Sequence, residues 1–240
     1  MKQLVEWMQQ AKSTVVFTGA GMSTESGLPD FRSQTGLWQG QDPVKLASTW
    51  ALDHERQAFT AFYQKRIQGL LSCKPHRGHE IVAEWEKRGR VRAIITQNVD
   101  EFHQQAGSVA VAELHGTLAT LRCTGCERTF PSKRYVEKDG AVCICGGFLR
   151  PNVVLFGEAL PREALQQAET WTEQAELFLV LGSSLAVSPA NWFPQQAKEH
   201  GARLVIVNQE PTPLDAWADL VIRDERIGTV LKRAEAAFTS

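Results

Sequence analysis

The strongest constraint on the fold is a pattern that recurs along the chain: a short, uninterrupted apolar run that stops at glycine or a small polar residue. Thr14-Val15-Val16-Phe17 leads into Gly19-Ala20-Gly21, and Val91 to Ile95 leads into Gln97-Asn98. Leu177 to Leu181 leads into Gly182-Ser183-Ser184, and Leu204 to Val207 into Asn208. Strands that are apolar at every position, not at alternate ones, are covered on both faces, as in a parallel sheet flanked by helices. The intervals agree: residues 76–88, 161–175 and 190–200 have helical spacing, with Pro161 near a helix start. Alternation of strand and helix predicts an α/β fold, a Rossmann-like doubly wound parallel sheet. Such sheets bind ligands beyond the carboxyl ends of their strands, so the four polar clusters are expected to converge on one site.

Two stretches break the alternation. Residues 41–72 look helical and carry Trp50, Phe59, Phe62 and Tyr63; a helical insertion is expected over 37–73. Residues 119–151 hold four of the five cysteines with little apolar periodicity, and are expected to form a small metal-held module. The Rossmann-like domain is then assembled from 1–36, 74–118 and 152–240. The thiols Cys123, Cys126, Cys143 and Cys145 are spaced C-x2-C-x16-C-x-C. Two close pairs across a short loop can set four thiolates tetrahedrally about one zinc ion per chain, with Zn–S near 2.3 Å as a rough figure. A site closed by four thiolates leaves no open coordination position, so its role is structural; reduced core cysteines are the plainer alternative.

At 240 residues, 43% of them apolar, the chain is long enough to bury a core without disulfides. Twenty-six basic and 27 acidic residues give a net charge of −1, which argues against a stable nucleic-acid partner or an anionic membrane surface. No apolar run approaches the roughly 20 residues that cross a bilayer. The first ten residues lack the apolar core of a signal peptide, and a cytoplasmic location is the expectation.

Several short motifs carry chemistry. Gly19-Ala20-Gly21-Met22-Ser23-Thr24 follows a strand as a dinucleotide-binding turn does, although Thr24 stands where the usual third glycine would be. By itself it fits a tight strand-to-helix turn equally well. Pro29-Asp30-Phe31-Arg32 then sets an aromatic ring beside a guanidinium, suited to cover a planar ring and to fork onto a phosphate. Gln97-Asn98-Val99-Asp100 offers polar side chains for ribose hydroxyls or a carboxamide. His115 is a candidate base, because an ordinary imidazole with a pKa of about 6.5 is largely neutral at cellular pH.

Taken together, these fragments resemble the sirtuin family of NAD-dependent protein deacylases. The likeness runs through G-A-G-x-S-T-x-S-G-x-P-D-F-R at 19–32, Q-N-V-D at 97–100, L-H-G at 114–116 and the four cysteines. It continues through Pro151 to Glu158, Gly182 to Ser184 and Val205 to Asn208. The resemblance implies an enzyme that moves an acyl group from lysine to ADP-ribose and releases nicotinamide, with acyl-lysine proteins or peptides as partners. It makes His115 the general base, with Asn98 and Asp100 ordering ribose and carboxamide. Cofactor contacts fall to Gly19, Ala20, Gly21, Thr24, Pro29, Asp30, Phe31, Arg32, Gln97, Val99, Gly182, Ser183, Ser184 and Asn208. Val153, Val154, Phe156 and Gly157 would present a strand-like edge to the peptide.

Tyr63 and Arg66 form a Y-x-x-R pair, which in sirtuins that remove succinyl or malonyl groups reads the acyl carboxylate. An amphipathic helix with a solvated cation explains the same residues. Glu101-Phe102 departs from the glycine or arginine, then leucine, common at those places. Arg223 to Arg226 has no firm counterpart. The alternative activity is a protein ADP-ribosyltransferase using the same pocket.

Overall fold

A computed structural model of the chain describes residues 1–33 and 36–239. Its main sheet has six parallel strands: β1 (Thr14–Thr18), β2 (Ala93–Thr96), β3 (Val111–Glu113), β7 (Leu177–Leu181), β8 (Arg203–Val207) and β9 (Leu220–Ile222). They lie in the order β3-β2-β1-β7-β8-β9. The winding therefore reverses between β1 and β7, and a crevice opens there, where such sheets bind ligands.

Each central strand serves two cores. In β7, Leu177, Leu179 and Leu181 face one side and Phe178 and Val180 the other. The first side is closed by helices α1 (Lys2–Gln10), α5 (Arg77–Lys87) and α9 (Ile227–Thr239), through Leu4, Trp85 and Leu231 among others. The second is closed by α7 (Arg162–Glu173) and α8 (Trp192–Glu199), through Ala168 and Phe193. This two-sided burial is why the strand runs show no alternation.

A third core lies beside the sheet. Residues 41–72, expected to be helical, form three helices: α2 (Pro43–Leu46), α3 (Thr49–His54) and α4 (Arg56–Leu71). The breaks fall at caps, since Ser48 accepts from the Ala51 amide at 3.0 Å and so starts α3. Phe59, Tyr63 and Ile67 of α4 pack on a second sheet. That sheet is antiparallel, β5-β4-β6, made of β4 (Gly116–Cys123), β5 (Thr129–Pro131) and β6 (Leu149–Val153). A short helix, α6 (Phe102–Gln105), follows β2. Among the described residues no helix is long and apolar enough to cross a membrane.

Candidate active site

The reversal point needs unusually close backbone packing, and three glycines provide it. The Gly19 amide donates to the Leu181 carbonyl at 3.1 Å, and the Gly21 amide to the Gly182 carbonyl at 2.9 Å. A Cβ at Gly19 would stand 2.7 Å from the Gly182 oxygen, and one at Gly182, whose φ is +65°, 2.3 Å from the Met22 nitrogen. No side chain fits at either position. Backbone thus meets backbone at the strand ends, leaving an open floor beside them.

On that floor lies a cavity of about 870 Å³. Every expected cofactor and substrate residue lines it except Thr24. Thr24 is exposed in the turn after β1, and its hydroxyl donates to the Gly21 carbonyl at 3.0 Å. The wall also includes Ser23, Trp38, Phe62, Leu118, Glu210 and Pro213, none of which the sequence assigned to the site. Residues 223–226 lie off this wall; Arg223 instead forms an ion pair with Asp215.

The polar end of the cavity is a single hydrogen-bonded assembly. Asn98 Nδ2 donates to the Gly19 carbonyl at 3.0 Å and to Ser23 Oγ at 3.2 Å. Ser23 Oγ donates in turn to Asp100 Oδ2 at 2.7 Å, and Asp100 Oδ1 accepts from the Phe102 amide at 2.9 Å. Burial pushes the Asp100 carboxyl above its ordinary range, opposed by these hydrogen bonds and by the Arg66 charge. Gln97 Nε2 donates to Ser183 Oγ at 2.8 Å, joining the end of β2 to that of β7. Glu101 takes the left-handed backbone conformation with φ +59° (the unusual residue at this position), so the turn glycine favours is kept without glycine. Its carboxylate accepts from Thr117 Oγ1 at 2.8 Å.

His115 Nδ1 lies 3.1 Å from the Gln97 carbonyl. A carbonyl only accepts, so the proton sits on Nδ1 and Nε2 keeps its lone pair. Burial lowers the His115 pKa from its ordinary value; the Gln97 bond opposes this and the Arg32 charge adds to it. The imidazole is therefore a neutral base at pH 7.

The loop above is folded on itself. Asp30 Oδ1 accepts from the amides of Arg32 at 3.0 Å and Ser33 at 2.9 Å, so this carboxylate shapes the loop. Phe31 stacks near Trp38, 5.2 Å between centroids, and Trp38 on Phe62 at 5.6 Å. The Arg66 guanidinium caps Phe31 at 5.0 Å. Asn208 Nδ2 donates to the Glu210 carbonyl at 2.7 Å, which orders the far end of the cavity.

The expected peptide edge differs from a simple strand. β6 stops at Val153, and the chain runs on with the Val154 amide on the His115 carbonyl at 2.8 Å and the Phe156 amide on the Ala47 carbonyl at 2.9 Å. The segment turns away from its sheet because Pro151 and the bulge in β4 interrupt regular pairing.

The four thiols of the second sheet lie within 4.8 Å of one another, with Cys123 and Cys145 Sγ 3.5 Å apart and Cys126 and Cys143 Sγ 3.7 Å apart. A tetrahedron of thiolates about zinc has edges of about 3.8 Å. Donors surround them as around bound thiolates: the Gly125 amide at 3.3 Å from Cys123, and Arg128 Nε at 3.3 Å from Cys126. The set fits one structural zinc ion.

The sequence model of the Sir2 family matches residues 19–189. The chain belongs to the Sir2 family. Two relatives, each named NAD-dependent protein deacetylase, come from Halalkalibacterium halodurans and Oceanobacillus iheyensis. The first is 55% identical, covering 98% of this chain and 99% of the relative. The second is 56% identical, covering 95% and 96%. A solved structure described as Sir2 with a p53 peptide and NAD+ superposes with a TM-score of 0.88, at 35% identity over 100% of this chain and 99% of the other. The sirtuin likeness read from the motifs is thus a family membership, and the parallel sheet with its cysteine-bound module is the Sir2 fold.

Proposed function

We propose that this chain is an NAD-dependent protein-lysine deacylase, which transfers the acyl group of acyl-lysine to ADP-ribose and releases nicotinamide. The observation that carries the reading is His115: a neutral imidazole held by Gln97, in one cavity with the glycine turn and Asn98. The cavity fits NAD on its own evidence, since glycines keep Cβ atoms off the floor and the volume exceeds what the acyl-lysine alone requires. Bound NAD would supply the anomeric carbon, whose bond to nicotinamide breaks as a bond to the acyl oxygen forms, so that nicotinamide leaves free.

The chain's own groups do the rest. Asn98 and Asp100, tied together through Ser23, hold the ribose and carboxamide end. His115 Nε2 removes a proton from a ribose hydroxyl, which raises that oxygen's reactivity. Phe31 covers the reacting sugar from water, and Arg32 meets phosphate at the mouth. Thr24 takes part through the turn it closes. Ser183, Ser184 and Asn208 order the adenosine half. Val153 to Gly157 line the acyl-lysine channel, where backbone pairing asks little of peptide sequence.

In this reading residues 1–36, 74–118 and 152–240 make up the nucleotide-binding domain, 37–73 is a helical insertion that adds Tyr63 and Arg66 to the cavity wall, and 119–151 is the structural zinc module, set off that wall. A cytoplasmic setting accords with cysteines that form no disulfide. The relatives' names and the NAD+ and peptide seen in the Sir2 structure support the reading. The test is mass spectrometry with NAD and a panel of acyl-lysine peptides, beside His115→Ala. Acyl-ADP-ribose formed by wild type and lost in the variant is the expected result. Nicotinamide released equally without peptide would point to ADP-ribosyl transfer or NAD hydrolysis instead.

A further inference from the structure

The stretch after β6 owes its shape to one ion pair beneath it. Arg150, the second residue of β6, is 3% exposed. Its Nη1 donates to Glu158 Oε1 at 2.6 Å and its Nη2 to Glu158 Oε2 at 3.0 Å, a two-pronged pair. The same Nη2 donates to the Val153 carbonyl at 2.6 Å, and Nε to the Pro151 carbonyl at 3.2 Å. Glu158 Oε2 also accepts from the Leu155 amide at 2.8 Å. One guanidinium and one carboxylate therefore grip the backbone at 151, 153 and 155, while the amides of Val154 and Phe156 are held by His115 and Ala47. Gripped from both sides, the segment has little freedom to adjust.

We propose that Arg150 and Glu158 are positioning residues for the acyl-lysine peptide, acting on it through the backbone of Val153 to Phe156. The role rests on the deacylase reading above. Arg150 is absent from the cavity wall, so its effect on substrate is transmitted by the segment it holds, whereas Glu158 also lines the cavity, and the Arg150 variant is the one that isolates the transmitted effect. The Val154 amide on the His115 carbonyl carries the same order to the backbone of the base. A buried guanidinium without its carboxylate also keeps an unmatched charge, which favours rearrangement of this loop over simple loss of one bond.

Glu158→Gln tests this, since one amide oxygen cannot serve both the Arg150 fork and the Leu155 amide. Two readouts are needed: hydrogen exchange across 153–157, and KM for acetyl-lysine peptide against KM for NAD. The expected result is faster exchange at Leu155 and a peptide KM raised about tenfold, as for loss of a hydrogen bond to a charged group, with KM for NAD unchanged. Arg150→Lys, at a residue off the cavity wall, keeps the cation but loses the fork and should move both readouts the same way; a peptide KM raised by Glu158→Gln but not by Arg150→Lys also overturns the proposal. Unchanged exchange, or peptide and NAD constants that rise together, overturns the proposal. Faster exchange with an unchanged peptide KM also overturns it. Wild-type protein that removes no acyl group sinks the deacylase reading and the peptide role with it, and exchange then reports only the grip on the loop.

Discussion

The side-chain amide of Asn98 donates to the carbonyl of Gly19 at 3.0 Å, joining the ends of two neighbouring strands that are 79 positions apart in sequence. Asn98 is fixed from beneath as well. Its own amide donates to Thr96 Oγ1 at 3.0 Å, Thr96 accepts from Thr18 Oγ1 at 2.7 Å, and Thr18 meets His103 Nε2 at 3.1 Å. Asn98→Asp replaces the donor facing Gly19 by a carboxylate oxygen, and two acceptors then oppose each other. We expect kcat/KM to fall by about a hundredfold, the size of effect a displaced positioning group produces. Nicotinamide release, read beside a thermal melt that stays close to wild type, checks it. A variant that keeps its rate removes Asn98 from the reacting site.

With His115 as the proposed base, the pH dependence of activity is set by its imidazole. Only the neutral imidazole accepts a proton, and burial lowers its pKa below the ordinary value. Activity should therefore stay flat from pH 8 through the usual imidazole range of about 6.5, and decline only in more acidic solution. The acid limb of kcat/KM for the peptide measures this. An inflection above the ordinary imidazole pKa would mean that a different group, or a charged His115, controls the step.

Two other histidines lower stability in acid. His79 and His103 are buried side by side, 5.0 Å between ring centroids, and burial pushes their pKa values down to about 2 and about 3. The unfolded chain takes up these protons near pH 6.5 and the folded chain does not. Their contribution to stability is thus fully present above that pH. Below it, each histidine that the fold keeps neutral costs stability progressively as pH falls. His103→Gln keeps a group that can meet Thr18 but cannot be charged, so urea denaturation between pH 7 and pH 5 should show a shallower loss. An equal slope in the variant would take His103 out of the account.

Most of the site was legible because its chemistry sits at strand ends, and runs such as Leu177 to Leu181 announce where a strand stops. The glycines were equally readable, since only a missing side chain allows Gly19 and Gly182 to meet. Ser23 stood in the glycine-turn motif without a role, because nothing in the sequence shows that its hydroxyl links Asn98 to Asp100. Three-residue strands such as β9 fall below any periodicity. Helix α1 reads as polar every few positions, yet Leu4, Val5 and Met8 share one buried face. Thr24, which the motif included, stands off the cavity wall with its hydroxyl turned back on the Gly21 carbonyl, a local turn bond that the motif does not announce.

The expectation that Arg66 reads an acyl carboxylate can be tested through acyl choice. Its guanidinium lies over the rings of Phe31, Phe62 and Tyr63 at 5.0, 5.7 and 5.9 Å, and burial lowers its pKa. Among the described residues no carboxylate pairs with it. Tyr63 is buried, which pushes its hydroxyl up to about 12 and keeps it a neutral donor. An acyl chain ending in carboxylate would give the desolvated cation a partner. Arg66→Met should lower the succinyl-to-acetyl rate ratio about tenfold or more. An unchanged ratio removes Arg66 from the acyl pocket and leaves it as a cap on Phe31.

The zinc site depends on a residue that binds no metal. A Cβ at Gly147 would lie 2.7 Å from Cys123 Sγ and 3.3 Å from Cys145 Sγ, closer than the thiolates can yield while all four stay on one ion. The Gly147 amide also donates to Cys145 Sγ at 3.4 Å. Gly147→Ala should therefore spread the ligand set and weaken zinc by roughly 10- to 100-fold, comparable with losing an outer-shell partner. Leu121, Leu149 and Tyr135 belong to the same core as Cys123 and Cys143. Loss of metal is accordingly expected to loosen the packing against α4 while the parallel sheet stays folded. Competition with a chromophoric chelator gives the affinity, and hydrogen exchange separates the two regions. If the alanine variant holds zinc as tightly as wild type, the close approach at Gly147 has no bearing on the metal.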